Sequence, residues 1–299
     1  MHNLVVIKNK FGFFELQDKP LKDELNQYYV EKYYQEGKGG YQTEYSKEEI
    51  EYINNKLTQK YEIITSLNKQ LEQQQDKRLL DIGCGEGWAL NYFKKKSWNV
   101  IGLDYSNYGC KKHNPECVDY LQVGDIYKSI NKLIVLNKKF DLVILDNVLE
   151  HVINPEKLLL KIKKIIKNSG ILVVDVPNDF SVVQRHLFQK EYLAEEFWIA
   201  VPDHISYFDK DGLSRLAKHC GWESRKIISD FPIDFNLFNK NTNYVLNKSV
   251  GKSCHIARIE IENLLHHISV VKTNDFYEAA AELGIGRELI CFLSKAAIN

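Results

Sequence analysis

Apolar positions along this chain switch between two spacings. Short apolar-rich segments at 79–82, 99–103, 118–123, 140–145, 171–176 and 222–228 predict strands, the one at 140–145 buried. Between them apolar residues recur at helical spacing. One such helix opens at Asn154-Pro155, an N-cap followed by the residue best suited to a first helical position. Its buried stripe is Leu158, Leu159, Ile162, Ile165 and Ile166, and Gly170 is expected to close it. Another starts at Asp209, carries Leu213, Leu216, Ala217 and Cys220 inward, and stops at Gly221. Shorter helices are expected at 88–96 and 106–113. Alternation of this kind predicts an α/β fold, a mostly parallel sheet with helices on both faces. An apolar run at 287–293 supplies a closing strand, which makes the sheet seven-stranded.

The flanks read differently. Residues 1–77 form an N-terminal extension, and 78–299 form the α/β domain with an insertion at 230–284. The runs at 4–7 and 11–16 suggest a hairpin. Tyrosines follow, among them Tyr33, Tyr34, Tyr41 and Tyr45, as a lid or as a packed stripe. Ser46 with Glu49 is a capping box. Ile50, Ile53, Leu57, Tyr61, Ile64 and Leu71 then predict one long helix against the main domain, running to the glutamines at 73–75. The insertion contains a helix at about 256–271, and its polar stretch around Asn243, Lys252, His255 and Arg258 is a further candidate for the acceptor pocket or a dimer contact.

Composition narrows the function. Lysine plus arginine equals aspartate plus glutamate at 40 each, so the chain has no bulk attraction to nucleic acid or an anionic membrane. No apolar run reaches the length of a membrane span, and residues 1–10 lack a signal-peptide pattern. The 6 cysteines are scattered and none forms a C-x-x-C pair. That argues against a zinc site or a disulfide framework and points to the reducing cytoplasm. No metal is expected.

The chemistry concentrates in Leu79-Leu80-Asp81-Ile82-Gly83-Cys84-Gly85-Glu86-Gly87, a buried strand running through a glycine turn into a helix. Glycines there let backbone turn tightly and approach a ligand, and the helix start offers unpaired N–H groups. The dinucleotide fingerprint would need a third glycine at 88, where Trp88 stands. The segment instead resembles the D-x-G-x-G-x-G motif of the Rossmann-like S-adenosylmethionine-dependent methyltransferases. Asp104 ends the second strand, where an acid can accept from two ribose hydroxyls. Asp125 and Ile126 follow the third. The stretch from Phe140 to Val152, with Asp146, Asn147, Glu150 and His151, resembles the F-D-x-V and L-E-H-V segments of the ubiquinone and menaquinone methyltransferase-like group. The loop Val201-Pro202-Asp203-His204 is similar to that group's histidine loop.

The resemblance covers residues 78–222. It implies that Asp81, Gly83, Gly85, Gly87, Asp104, Asp125, Ile126 and Asn147 bind S-adenosylmethionine, and that His204, then His151, serves as base. Asp125 also reads as a plain turn residue, and Glu150, His151 and His204 as groups that merely hold loops. The acceptor is expected to be a small molecule, with a sugar or sugar-linked metabolite suggested by a looser likeness to methyltransferases of bacterial surface-polysaccharide clusters. Two alternatives stand beside this reading: an NAD-dependent oxidoreductase and a catalytically inactive binding subunit. Oligomeric state is open, a homodimer included.

Overall fold

Strand rows dictate the architecture in this computed structural model, which describes residues 5–21, 24–25 and 44–297. In chain order the elements are β1 (Val6–Lys8), β2 (Phe14–Leu16), α1 (Lys47–Leu67), α2 (Gln70–Gln73), β3 (Arg78–Ile82), α3 (Trp88–Lys95), β4 (Asn99–Asp104), α4 (Tyr108–His113), β5 (Leu121–Val123), α5 (Ile126–Val135), β6 (Phe140–Asp146), α6 (Pro155–Ile165), β7 (Ile166–Pro177), α7 (Val182–Gln189), β8 (Ser206–Tyr207), α8 (Lys210–His219), β9 (Trp222–Ser229), α9 (Gly251–Ile268), α10 (Val270–Glu282) and β10 (Glu288–Lys295).

Seven strands form the main sheet in the order β5-β4-β3-β6-β7-β10-β9. Pairings from β5 through β7 are parallel, and β10 lies antiparallel between β7 and β9. The expected seven-stranded α/β sheet is therefore present. The expected N-terminal hairpin is also present, and β8 joins it as a third strand.

Each face of the sheet buries its own core. On one face Leu79, Leu142, Ile144, Val173, Ile228 and Ile290 meet Ile63 and Ile64 of α1, Leu71 of α2 and Tyr277 of α10. On the other, Leu80, Val143, Leu145, Leu172 and Val174 meet the stripes of α5, α6 and α8. The extension is thus part of the core. It is also tied to the insertion: Asn55 donates to Asn263 at 3.0 Å, and Asn274 donates to the Gln59 carbonyl at 3.2 Å.

Several sequence expectations need correction. Gly170 does not end α6: Ile166 is already extended, and Gly170 sits inside the 12-residue β7. A Cβ there would press 3.0 Å from the Phe140 carbonyl oxygen and 3.1 Å from that of Asp141, so glycine serves close approach of two strands. The strand expected from 118 shortens to Leu121–Val123, because Pro115–Tyr120 winds into a 3₁₀ turn that buries Cys117. The long helix stops at Leu67, and Leu71 reaches the core from the separate α2. Helices α5 and α7 were not anticipated, although Asp125 caps the first and a Ser181–Gln184 capping box opens the second. The insertion holds two helices instead of one. The tyrosines at 33, 34 and 41 lie outside the described residues.

Candidate active site

The C-terminal ends of the parallel strands open into a cavity of about 1120 Å³. Of the expected site residues, Asp81, Gly83, Gly85, Asp104, Ile126, Asn147, His151 and His204 line it; Gly87 and Asp125 do not. Gly87 instead caps α3 in a left-handed conformation.

The glycine turn is shaped by two different needs. At Gly83, φ is +73° and a Cβ would stand 2.4 Å from Val148 Cγ2, so packing forbids a side chain. At Gly85, φ is +49° and a Cβ would meet nothing within 4 Å. There the bare backbone faces open space on the cavity wall. Asp104 fixes this turn. One carboxylate oxygen accepts from the Gly85 N–H at 2.8 Å and the other from the Ser106 N–H at 3.0 Å. Glu86 ties the turn to the lid side: it accepts from the Tyr45 hydroxyl at 2.8 Å and from the Trp88 indole at 2.6 Å.

Asp125 uses Oδ1 to accept from the N–H groups of Tyr127 at 2.8 Å and Lys128 at 3.1 Å. It does the work of an N-cap, and Ile126 and Tyr127 face the cavity in its place.

Across the cavity, Glu150, His151 and His204 converge. His151 Nδ1 lies 2.6 Å from the Asp203 carbonyl oxygen, which accepts only from a protonated nitrogen. That bond leaves Nε2 with its lone pair, 3.5 Å from Glu150 Oε1. The ring of His204 meets that of His151 edge-on at 4.9 Å between centroids. Burial, with His151 and Arg287 adding to it, pushes His204 down to about 3. Burial also lowers His151, against its hydrogen bond to Asp203. Both rings are therefore neutral near pH 7. The same groups also hold the loop, since the Glu150 carbonyl accepts from the Ile205 N–H at 2.8 Å. Ligand atoms of Glu150, His151 and His204 all lie within 4.8 Å of one another, so these three are the residues that a metal ion would use.

Sequence reading missed the charges brought in by distant helices. Lys60 of α1 is buried and bridges Asp146 at 2.6 Å and Asp175 at 2.8 Å. Burial opposes its charge, but the two carboxylates outweigh it and hold the ammonium above the ordinary lysine range. Burial lifts Asp81 to about 8, with Asp146 adding and Lys60 opposing, and lifts Asp175 to about 7. Lys56 of α1 and Arg258 of α9 both pair with Glu262, at 3.2 and 3.1 Å. Nothing local marks Lys56 or Lys60 as a site residue. The available signal was the apolar helix stripe interrupted by lysines.

Comparison with known proteins agrees with this geometry. Residues 55–227 match the family described as a methyltransferase domain. The match takes in more than half of the 299 residues. The chain belongs to that family. An uncharacterised protein of Methanocaldococcus jannaschii is 38% identical over 128 residues, covering 43% of this chain and 53% of its own length. A ubiquinone biosynthesis O-methyltransferase of Rickettsia canadensis is 30% identical over 135 residues, covering 43% and 50%. The chain thus spans about half the length of these curated relatives. Among solved structures, a SAM-dependent methyltransferase from Archaeoglobus fulgidus superposes with TM-score 0.47 and 20% identity over 78% of this chain and 93% of its own. A plantazolicin methyltransferase in complex with a triazolic desmethylPZN analog and SAH gives 0.48 and 13%, over 83% and 85%. No helix among the described residues is long and apolar enough to cross a membrane.

Proposed function

We propose that this chain transfers a methyl group from S-adenosylmethionine to a small-molecule acceptor, a sugar or sugar-linked metabolite of bacterial surface polysaccharide synthesis. The observation that carries the donor reading is the pairing of an open glycine backbone at Gly85 with the Asp104 carboxylate that braces it. That cradle fits a ligand with adjacent hydroxyls. Asp104 would grip the ribose, Ile126 would pack on the adenine, and Asp81 with Asn147 would face the amino-acid end. Bound there, S-adenosylmethionine supplies an electrophilic methyl on a positively charged sulfur.

The remaining work falls to the chain's own residues. Alignment of two reactants in a closed cavity is the main contribution, since effective concentration alone removes several kcal/mol of barrier, about 7–11 in the best cases. Tyr45 and α1 line one side of the cavity. A hydroxyl acceptor must also lose its proton. With Nδ1 donating to the Asp203 carbonyl, Nε2 is the His151 nitrogen that would take the proton, and Glu150 Oε1 lies 3.5 Å from it. His204 completes the pair as the neighbouring neutral ring.

The neutral overall charge supports a small-molecule acceptor over a nucleic acid. Trp88 at the position of the dinucleotide fingerprint's third glycine weighs against the oxidoreductase alternative. Calorimetry with S-adenosylhomocysteine tests the donor, and a mass-shift screen of nucleotide-sugars, phenols, amines and RNA tests the acceptor. Binding of NAD in place of S-adenosylhomocysteine would overturn the first reading. A methyl gain on RNA alone would overturn the second, and no product with any acceptor would favour the inactive binding subunit.

A further inference from the structure

A strand's inward-facing residues recur every second position. On the sheet face covered by α1 and α10, five apolar rows end in an acid at the cavity edge. Leu79 leads to Asp81, Ile144 to Asp146, Val173 to Asp175, Ile228 to Asp230 and Ile290 to Glu288. Register places them side by side: Asp146 pairs with Asp175, and Glu288 pairs with Pro177, two positions beyond Asp175. All five acids line the cavity.

The counter-charges are fewer and mostly spoken for. Lys60 takes Asp146 and one oxygen of Asp175. Lys56 and Arg258 converge on Glu262, and Arg258 stands 3.9 Å from Asp230, too far for a hydrogen bond. Arg287 donates to Asp179 at 3.2 Å, outside the row. Asp230 Oδ1 accepts from the backbone of Arg287 and Glu288. Left over, buried and without a hydrogen-bond partner among the described residues, are Asp175 Oδ1, Asp230 Oδ2 and Glu288 Oε2. Asp175 is 5% exposed and Asp230 0%. Burial lifts all three acids above the ordinary carboxylate range, so a nearby positive charge is what would hold them ionised, and in that form their oxygens only accept. A buried carboxylate without a hydrogen-bond partner is costly and calls for one. The donor's net charge is a single positive one, and it belongs at the Asp81 end, beside the glycine turn.

We propose that the acceptor carries an ammonium group, and that Asp175, Asp230 and Glu288 form the subsite that receives it. This rests on the methyl-transfer reading and narrows its acceptor to an amine-bearing small molecule, such as an amino sugar. The subsite is a binding handle; it does not decide which acceptor atom is methylated.

The test begins with S-adenosylhomocysteine calorimetry, whose failure would strike the donor reading alone. The protein saturated with S-adenosylhomocysteine is then melted with glucosamine, with glucose, and with magnesium chloride. Glucosamine and glucose differ in bearing an ammonium or a hydroxyl on one carbon. At ten times its Kd, glucosamine should raise Tm by about 2–5 °C, and glucose should not. Glu288→Gln should abolish that shift, keep S-adenosylhomocysteine affinity within about threefold of wild type, and leave the empty protein at least as stable as before. Equal shifts from the two sugars would overturn the proposal. So would no shift with glucosamine, a shift that survives in both Glu288→Gln and Asp230→Asn, or a shift produced by magnesium alone. A Glu288→Gln protein that melts well below wild type would show that this carboxylate is structurally satisfied, and would also overturn it.

Discussion

The two ends of the cavity handle their acids in opposite ways. At the donor end, Asp104 and Asp125 each accept two backbone N–H groups from residues nearby in the fold. At the acceptor end, Asp146 and Asp175 depend on a lysine some 86 positions away from the first of them, and Asp230 and Glu288 each keep an oxygen without a hydrogen-bond partner among the described residues. Backbone donors cost nothing extra, because a turn or helix start must place its N–H groups somewhere. A carboxylate held that way stays rigid whether or not a ligand is present. A carboxylate held by a distant cation, or by nothing, depends on how α1 packs across the sheet and on what enters the cavity. The donor end is therefore held by its own backbone, and the acceptor end by packing of distant helices and by what binds.

The sharpest break in this contrast concerns the two histidines, where the largest effect is expected. His151→Ala should lower turnover by about 10²–10⁴-fold, the usual contribution of a positioned base, with S-adenosylhomocysteine affinity close to wild type. His204→Ala should act in the same direction. With His204 pushed down to about 3, its ring does not titrate between pH 5 and 9, so any acid limb of turnover in that window belongs to other groups. The stability consequence has a definite sign. A histidine lowered from 6.5 in the folded state is harder to protonate there than in the unfolded chain, so stability falls as pH drops below about 6.5 toward 3. His204→Gln should remove part of that acid loss in a pH series of melts. Normal turnover in both alanine variants would reduce the pair to loop supports.

Next in size is Lys60. Removing one partner from a buried ion pair typically costs about 3–5 kcal/mol, and Lys60→Met leaves both Asp146 and Asp175 without it. Denaturant unfolding should show that loss, and Lys60→Arg should recover part of it. An unchanged midpoint for Lys60→Met would mean that the strand-end acids simply keep their protons, and the contrast between the two ends would lose its energetic basis.

Asp104→Ala comes third. Charge-assisted hydrogen bonds are worth about 1.5–3 kcal/mol each, so losing two implies a fall in S-adenosylhomocysteine affinity of about a hundredfold or more. Because Asp104 also braces Gly85, part of that loss is slackening of the turn. Asp104→Asn keeps one acceptor oxygen and should lie between the two. Full affinity in a folded Asp104→Ala protein would remove Asp104 from the donor site.

The same contrast explains what was legible in the sequence. Leu79 through Gly87 is one continuous stretch, and its strand, turn, helix start and proposed ligand chemistry are encoded by neighbours in the chain. Asp104 and the Leu149-Glu150-His151 segment follow the same logic at strand ends. Lys56, Lys60, Arg258 and Glu262 could not be read this way. They meet only because α1 and α9 pack together across the sheet, and no local spacing records that. The row of acids lay between these cases. Each is the next inward position after an apolar row, a visible pattern, but its meaning depends on the register between strands. Gly170 misled because a glycine after a helical stripe usually ends it, and here strand proximity set the residue instead.

The smallest expected effect separates capping from ligand contact at the donor end. Asp125 stands where the resemblance implies an adenine contact, yet its Oδ1 is engaged with the N–H groups of Tyr127 and Lys128, and it does not line the cavity. If capping is its work, Asp125→Asn should be nearly silent, because asparagine caps about as well as aspartate. Asp125→Ala should cost about 1 kcal/mol of stability by exposing two helix N–H groups. Donor affinity should then drop less than about threefold, through slight fraying of the turn that carries Ile126 and Tyr127 into the cavity. An adenine contact would give the reverse signature: Asp125→Ala would weaken S-adenosylhomocysteine tenfold or more, and the melting curve would barely move. Calorimetry and denaturant unfolding on the same two variants distinguish these outcomes. The reverse signature would extend the donor end by one carboxylate and show that a backbone-satisfied acid can still serve a ligand with its second oxygen.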